Sequence, residues 1–277
     1  MSQASSPRPT AARASAPEGS VLRGRALVTG GTSGIGLAFA RALAARGCDL
    51  VLVARDEARL AKTAEQLRWR YGVEVETVVA DLADREALQA VAARLGDTTT
   101  PVDILVNNAG KGVHVPLLAE DTSEHEHALD LMIRAVLVLG AAAGRAMKAR
   151  GHGVIVNVTS VAGLIPMGSY SAVKSWVRTY SESLSLELAG TGVTVTALLP
   201  GWVRTEFHER AGIRASSIPD ALWLEADRVV ADCLADVEKG KVRSVPSKRF
   251  QALAFLAEHA PRPLVRQATA VIKGSRR

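Results

Sequence analysis

Thr29-Gly30-Gly31-Thr32-Ser33-Gly34-Ile35-Gly36, read with Tyr170-Ser171-Ala172-Val173-Lys174 far downstream, decides how this chain folds. The first stretch closes the short apolar run Arg25–Thr29 (RALVT). After it, Ile35, Leu37, Ala38, Phe39, Ala42 and Leu43 recur at helical spacing. The loop therefore joins a strand to a helix N-terminus, where free backbone N–H groups and the positive end of the helix dipole favour a phosphate. Its glycines allow positive φ and let a ligand approach the backbone closely. A glycine-rich loop alone also fits a tight strand-to-helix turn, and the strand–turn–helix context is what points to a nucleotide cradle.

The next apolar run, Asp49–Ala54 (DLVLVA), is followed directly by Arg55 and then Asp56. In sheets of this type an acid near this strand end binds the ribose 2′-hydroxyl, whereas an arginine accommodates a 2′-phosphate. A guanidinium matches two phosphate oxygens at once. Arg55 directly succeeds the strand and favours NADP(H); Asp56 keeps NAD(H) open. Further runs at 75–80 and 104–106 end in Asp81-Leu82 and Asn107-Asn108-Ala109-Gly110. Both put polar residues past the C-terminal end of a strand, where open α/β sheets bind ligands.

With these residues in place the chain resembles the short-chain dehydrogenase/reductase family. Its marks are TGxxxGxG (29–36), NNAG (107–110), a serine after the fifth strand (Ser160), YxxxK (Tyr170, Lys174) and PG followed by a threonine (Pro200-Gly201-Trp202-Val203-Arg204-Thr205). The resemblance spans about residues 24–205. It implies a nicotinamide-dependent oxidoreductase that interconverts a ketone or aldehyde and an alcohol. Tyr170 is then the acid/base, Ser160 the donor that orients the carbonyl, and Lys174 the group that lowers the tyrosine pKa and holds the nicotinamide ribose. A nearby cation favours a phenolate, and positions i and i+4 share a helix face. The cofactor residues implied are Gly30, Thr32, Ser33, Gly34, Ile35, Gly36, Arg55, Asp81, Leu82, Asn107, Ala109, Gly110, Tyr170, Lys174, Pro200, Gly201, Val203 and Thr205. His114, Trp202, Phe207 and Trp223 are candidate pocket walls, and 206–224 is the expected substrate lid. For His114 an exposed loop position is the competing reading, and for the three aromatics simple packing is.

Two departures from the family pattern stand out. Met132 occupies the position where relatives carry an asparagine that links the lysine to solvent through water, and a thioether cannot make amide hydrogen bonds. The segment 161–169 (VAGLIPMGS) is shorter than usual, which leaves Thr159 and Ser169 as rivals to Ser160. The rival functional reading is therefore an NADP(H)-binding protein with weak or no turnover.

Apolar strand runs alternate with amphipathic helices, including helices near 121–150, 170–189 and 225–238 and a strand at 192–199. That order predicts an α/β, single doubly wound Rossmann-type domain with a mostly parallel sheet over 21–245. Residues 1–20 are rich in Ala, Ser, Pro and Arg and read as a disordered extension. Three prolines argue against an organelle-targeting helix there. The net charge of +6 is concentrated at the end: residues 243–277 hold eight Lys/Arg against one Glu. The basicity is a terminal property, so nucleic acid is not an expected partner. Residues 246–277 read as an amphipathic helix and basic tail, either solubilising or in weak contact with anionic lipid or an acyl-carrier partner. No uninterrupted apolar run in the sequence reaches the ~20 residues of a membrane span. Cys48 and Cys233 are too few for a disulfide framework. With no histidine ligand spacing, no metal is implied. A cytoplasmic homodimer or homotetramer, joined through helices at 121–150 and 170–189, is the expected form.

Overall fold

The computed structural model describes residues 14–206 and 220–274. Seven strands form one parallel sheet: β1 (Arg25–Thr29), β2 (Asp49–Ala54), β3 (Val75–Val79), β4 (Ile104–Asn107), β5 (Gly153–Val158), β6 (Val193–Leu198) and, after a small parallel ribbon of β7 (Trp202–Arg204) with β8 (Trp223–Glu225), β9 (Arg243–Ser244). The sheet order is β3-β2-β1-β4-β5-β6-β9. Chain direction across the sheet reverses between β1 and β4, so a crevice opens there at the strand C-termini.

The central strands β1, β2, β4 and β5 are buried on both faces, which is why they read as near-continuous apolar runs, whereas the edge strand β3 is partly exposed. On one face α1 (Gly34–Ala44), α2 (Glu57–Tyr71) and, later, α7 (Ala226–Glu238) bury Phe39, Leu43, Leu60, Val230 and Leu234 against Val28, Leu50 and Val156. On the other, α3 (Arg85–Leu95) and α5 (Ala135–Arg150) bury Leu88, Val91, Leu139 and Met147 against Leu27, Val51 and Ile155. Asp56 and Asp84 cap α2 and α3 by accepting from the N–H groups of Arg59 and Ala87. Gly72 and Gly151 close α2 and α5 in the left-handed conformation.

The long helix before β5 runs from α4 (Ser123–Leu129) through one π-type turn, Asp130–Arg134, into α5. By length and composition Ser123–Arg150 is apolar enough to cross a membrane, a property hidden from the sequence by interspersed polar residues. Half of its most apolar window is buried inside the fold. Its small residues Ala135, Ala142 and Ala143 pack in the sheet core, as befits an internal helix.

The C-terminal segment departs from a free tail. It forms α8 (Lys248–His259) and α9 (Arg262–Gly274), and these fold back over the strand C-termini. Phe250, Ala254, Val265 and Thr269 are buried there. At the other end, residues 1–13 lie outside the described residues. Ser20 is buried, and its hydroxyl donates to Glu238 at the end of α7.

Candidate active site

One cleft of about 1310 Å³ runs along the strand C-termini, from the glycine loop to α8 and α9. At its first end, Thr29 ties two motifs together. Its Oγ1 donates to the Val106 carbonyl and accepts from the N–H groups of Asn108 and Ala109, at 2.9 and 3.0 Å. The Asn108 amide donates back to the Thr29 carbonyl at 2.9 Å. The glycine loop and the NNAG segment are thus one rigid unit. A Cβ on Gly36 would meet the Gly30 carbonyl oxygen at 2.2 Å, so this glycine lets α1 pack on the loop rather than touching a ligand. Ser33 precedes α1 without capping it by its side chain, and the first turn of α1 carries no acid. The N–H groups there face the cleft beside Thr32 and Gly34. This is a fitting cradle for a dinucleotide pyrophosphate.

At the outer edge of this end Arg55 is largely exposed, and its Nη1 lies 3.8 Å from Asp81 Oδ2. Asp56 lines the cleft but its Oδ1 accepts from Arg59 N, 2.9 Å away, as the cap of α2. A second guanidinium, Arg59, enters the same corner. It donates to the Thr32 carbonyl at 3.0 Å and to both oxygens of Glu206, which together with nearby Asp56 raise its pKa. Sequence reading had not singled out Arg59; the Arg55/Arg59 spacing of four across a helix start was the available signal.

The floor of the cleft is made by the end of β5 and the start of α6 (Ser169–Glu187). Ser160 caps a single 3-10 turn, Val161–Leu164, by accepting from Ala162 N at 3.1 Å. Gly163 makes the short connection workable, since a Cβ there would strike the Lys174 carbonyl carbon and Ser175 nitrogen at 2.8 Å. The turn therefore lies directly on α6. Ser160 remains in hydrogen-bond contact with the Tyr170 phenol despite the shortened loop. The rivals are engaged elsewhere: Thr159 Oγ1 donates to the Lys174 carbonyl at 2.9 Å, and Ser169 Oγ pairs with His125 Nδ1 at 2.8 Å.

Lys174 is buried, and its ammonium donates to the Val158 carbonyl at 2.8 Å. Its Nζ stands 5.7 Å from the Tyr170 ring centroid. Burial pulls the Lys174 pKa down to about 8. Burial also pushes the Tyr170 phenol up to about 12, opposed by the Ser160 hydrogen bond. The expected lowering of the tyrosine pKa by the lysine is therefore not the dominant effect here. Desolvation of the buried phenol dominates.

Met132 sits inside the π-type turn, buried with Val113, Ala128 and Val173 against Tyr170. A Cβ on Gly110 would come within 3.1 Å of its sulfur. This turn is thus filled by an apolar plug beside Tyr170. Arg134 pairs with Asp130 on another side of the same turn.

Most residues singled out in the sequence line this cleft, including Gly30, Arg55, Asp81, Leu82, Ala109, Gly110, Pro200, Val203 and Thr205. Asn107 does not. Its amide donates to Asn157 Oδ1 at 2.9 Å, and Asn157 in turn donates to Ser181, a buried chain that locks β4, β5 and α6. Asn108 is the cleft residue of that pair. Trp202 lines the cleft, whereas Trp223 stacks edge-on against Trp202 and beneath the Arg204 guanidinium. His114 is exposed and outside the lining. Phe207, with most of the expected lid, lies outside the described residues.

The far wall was not anticipated. Phe250, Leu253, Leu256 and Leu264 from α8 and α9 line the cleft together with Leu164, Ile165 and Met167. Gly201 explains the join, since a Cβ there would meet the Phe250 ring at 2.1 Å. His127 and Leu131, one turn apart on the helix before β5, complete the lining. No cluster of three or more His, Cys, Asp or Glu that could hold a metal occurs among the described residues.

The family model for short chain dehydrogenase matches residues 25–214. A galactitol 2-dehydrogenase (L-tagatose-forming) from Cereibacter sphaeroides is 41% identical over 187 residues, covering 65% of this chain and 72% of its own. Among solved structures, a short-chain dehydrogenase from Sphingobium yanoikuyae in complex with NADPH is 36% identical with a TM-score of 0.79, covering 87% of this chain and 94% of that one. A relative from Burkholderia phymatum in complex with NAD is 28% identical with a TM-score of 0.74, covering 84% and 92%. A glycine cradle, a Ser-Tyr-Lys floor and these matches together make the chain a short-chain dehydrogenase/reductase, an oxidoreductase that uses a nicotinamide cofactor.

Proposed function

We propose that this protein is an NADP(H)-dependent reductase of ketones or aldehydes, with Tyr170 as the proton donor. The observation that carries the reading is the convergence of Ser160, Tyr170 and Lys174 on the floor of the cleft that begins at the glycine loop. A bound nicotinamide supplies or accepts the hydride. As hydride reaches carbon, the carbonyl oxygen gains negative charge and needs donors facing it. Ser160 Oγ and the Tyr170 phenol are the two adjacent donors. A phenol with a pKa near 12 is fully protonated at neutral pH, which suits the reductive direction. Lys174, with a pKa near 8, is still cationic at pH 7 and supports the phenolate left after proton transfer.

Arg55, largely exposed at the outer edge, supports NADP(H) over NAD(H). The Asp56 carboxylate, the rival for a ribose hydroxyl, is already engaged as a helix cap. Met132 closes the solvent path through the helix side, so protons return to Tyr170 from the open cleft. Residues 21–245 form the catalytic domain in this reading, and α8 and α9 cover the substrate end. A homodimer through the helix faces bearing Leu129, Leu137 and Leu186 accounts for their exposure.

The test is oxidation of NADPH and NADH by purified protein across ketones and aldehydes of graded size. Turnover with NADPH well above that with NADH supports the reading. Tight NADPH binding without turnover on any carbonyl overturns it in favour of a binding protein.

A further inference from the structure

The substrate end of the cleft opens among side chains that are both lining and surface. Leu253, Leu256 and Leu264 border the cleft, yet they are 48%, 58% and 57% exposed. Beside them Phe255 is 60% exposed and stacks on His259. Large aliphatic and aromatic groups gathered on two neighbouring helices are unusual on a solvated surface.

Among the described residues of α8 and α9, basic groups outnumber acidic ones. Lys248 and Arg249 open α8, and Arg262 and Arg266 stand one turn apart on α9, all exposed. The sole acid of the segment 243–277, Glu258, pairs with Arg243 at 2.8 Å, which offsets its charge. Arg249 and Leu253, four residues apart, share a helix face, as do Leu253 and Leu256, three apart. Cations bordering protruding apolar side chains are the pattern of a helix that lies in a lipid interface.

We propose that the outer faces of α8 and α9 seat on an anionic lipid surface and that a carbonyl compound with a long hydrocarbon arm enters the cleft from it. This rests on the reductase reading for the site it feeds. Deeper in the cleft, Ile165, Met167, Phe250 and Ala257 add to its apolar lining. A hydrocarbon arm drawn inward from a bilayer would remain against apolar surface until its carbonyl reached Ser160 and Tyr170. An acidic carrier protein would match the charge, but it gives no use to four exposed apolar side chains.

The experiment is co-sedimentation of the full chain with phosphatidylcholine vesicles, with and without phosphatidylglycerol. The wild type is expected to bind the anionic vesicles and not the neutral ones, and to be released by salt. Phe255→Asp, and separately the pair Arg262→Glu and Arg266→Glu, should weaken that binding at least roughly tenfold. These residues lie outside the cleft lining, so NADPH binding serves as the folding control. Absence of binding to either vesicle overturns the proposal, and so does binding that these changes leave intact. Binding to an acidic acyl carrier but not to vesicles overturns it in favour of a carrier surface. Vesicle binding requires no turnover, and turnover of a short soluble ketone requires no vesicle, so this proposal and the reductase reading fail separately.

Discussion

The two ends of the cleft are built by opposite means. At the nucleotide end the ligand surface is backbone: glycines, helix N–H groups and a threonine that ties two loops together. At the substrate end it is side chain, contributed by α8 and α9, far in sequence from the residues they face. A backbone surface tolerates little change, because each glycine is required by a specific close approach. A side-chain surface accepts many sequences of similar volume and polarity. The first end is therefore built for a constant ligand and the second for a variable one.

The sharpest way to probe the floor between the two ends is the buried charge of Lys174. Its pKa is lower in the fold, about 8, than the 10.5 of an unperturbed lysine. The unfolded chain then holds that proton more tightly, so folding is penalised in full below pH 8. The penalty disappears as pH rises through 10.5. The shift corresponds to about 3 kcal/mol. Lys174→Met should thus gain stability relative to wild type at pH 7 and lose most of that relative gain by pH 10, as read by urea unfolding at both values. A pH-independent difference would mean that the ammonium is well solvated.

The join between the ends comes next. Gly201→Ala should cost roughly 1–3 kcal/mol by driving a methyl group into the Phe250 ring. Adding Phe250→Leu should recover part of the loss in melting temperature. No recovery would break the claim that the PG motif is shaped by the C-terminal helices. At the outer edge of the nucleotide end, Arg55→Ala should weaken NADPH binding about tenfold and leave NADH binding nearly unchanged, the size of one lost charge-assisted hydrogen bond. Equal losses for both cofactors, measured by fluorescence titration, would remove Arg55 from 2′-phosphate recognition. The smallest effect expected is that of Met132→Asn, a change of a few-fold in kcat at most. A much larger rise would show that the apolar plug limits proton return.

How far the sequence could be read follows the same division. The glycine loop, the strand ends and YxxxK were legible because each is a local pattern whose geometry follows from backbone rules. The parallel sheet followed from continuous apolar runs alternating with helical ones. Asn107 was misleading because a strand's last residue can face the cleft or the core. Register alone turned its amide toward Asn157 and left Asn108 in the cleft. The tyrosine pKa was not legible either, since its rise comes from burial of the phenol, which depends on packing across elements far apart in sequence. The role of α8 and α9 was hidden for the plainest reason. A basic amphipathic segment looks the same in sequence whether its apolar stripe meets solvent, lipid or a cleft.

The central claim is that Tyr170 donates the proton in a reduction carried out at the junction of these two ends. Tyr170→Phe keeps the ring and removes only the hydroxyl, so NADPH binding and carbonyl turnover can be measured on one folded sample. NADPH affinity should stay unchanged while kcat falls about 10²–10⁴-fold. Turnover within a few-fold of wild type would contradict the claim.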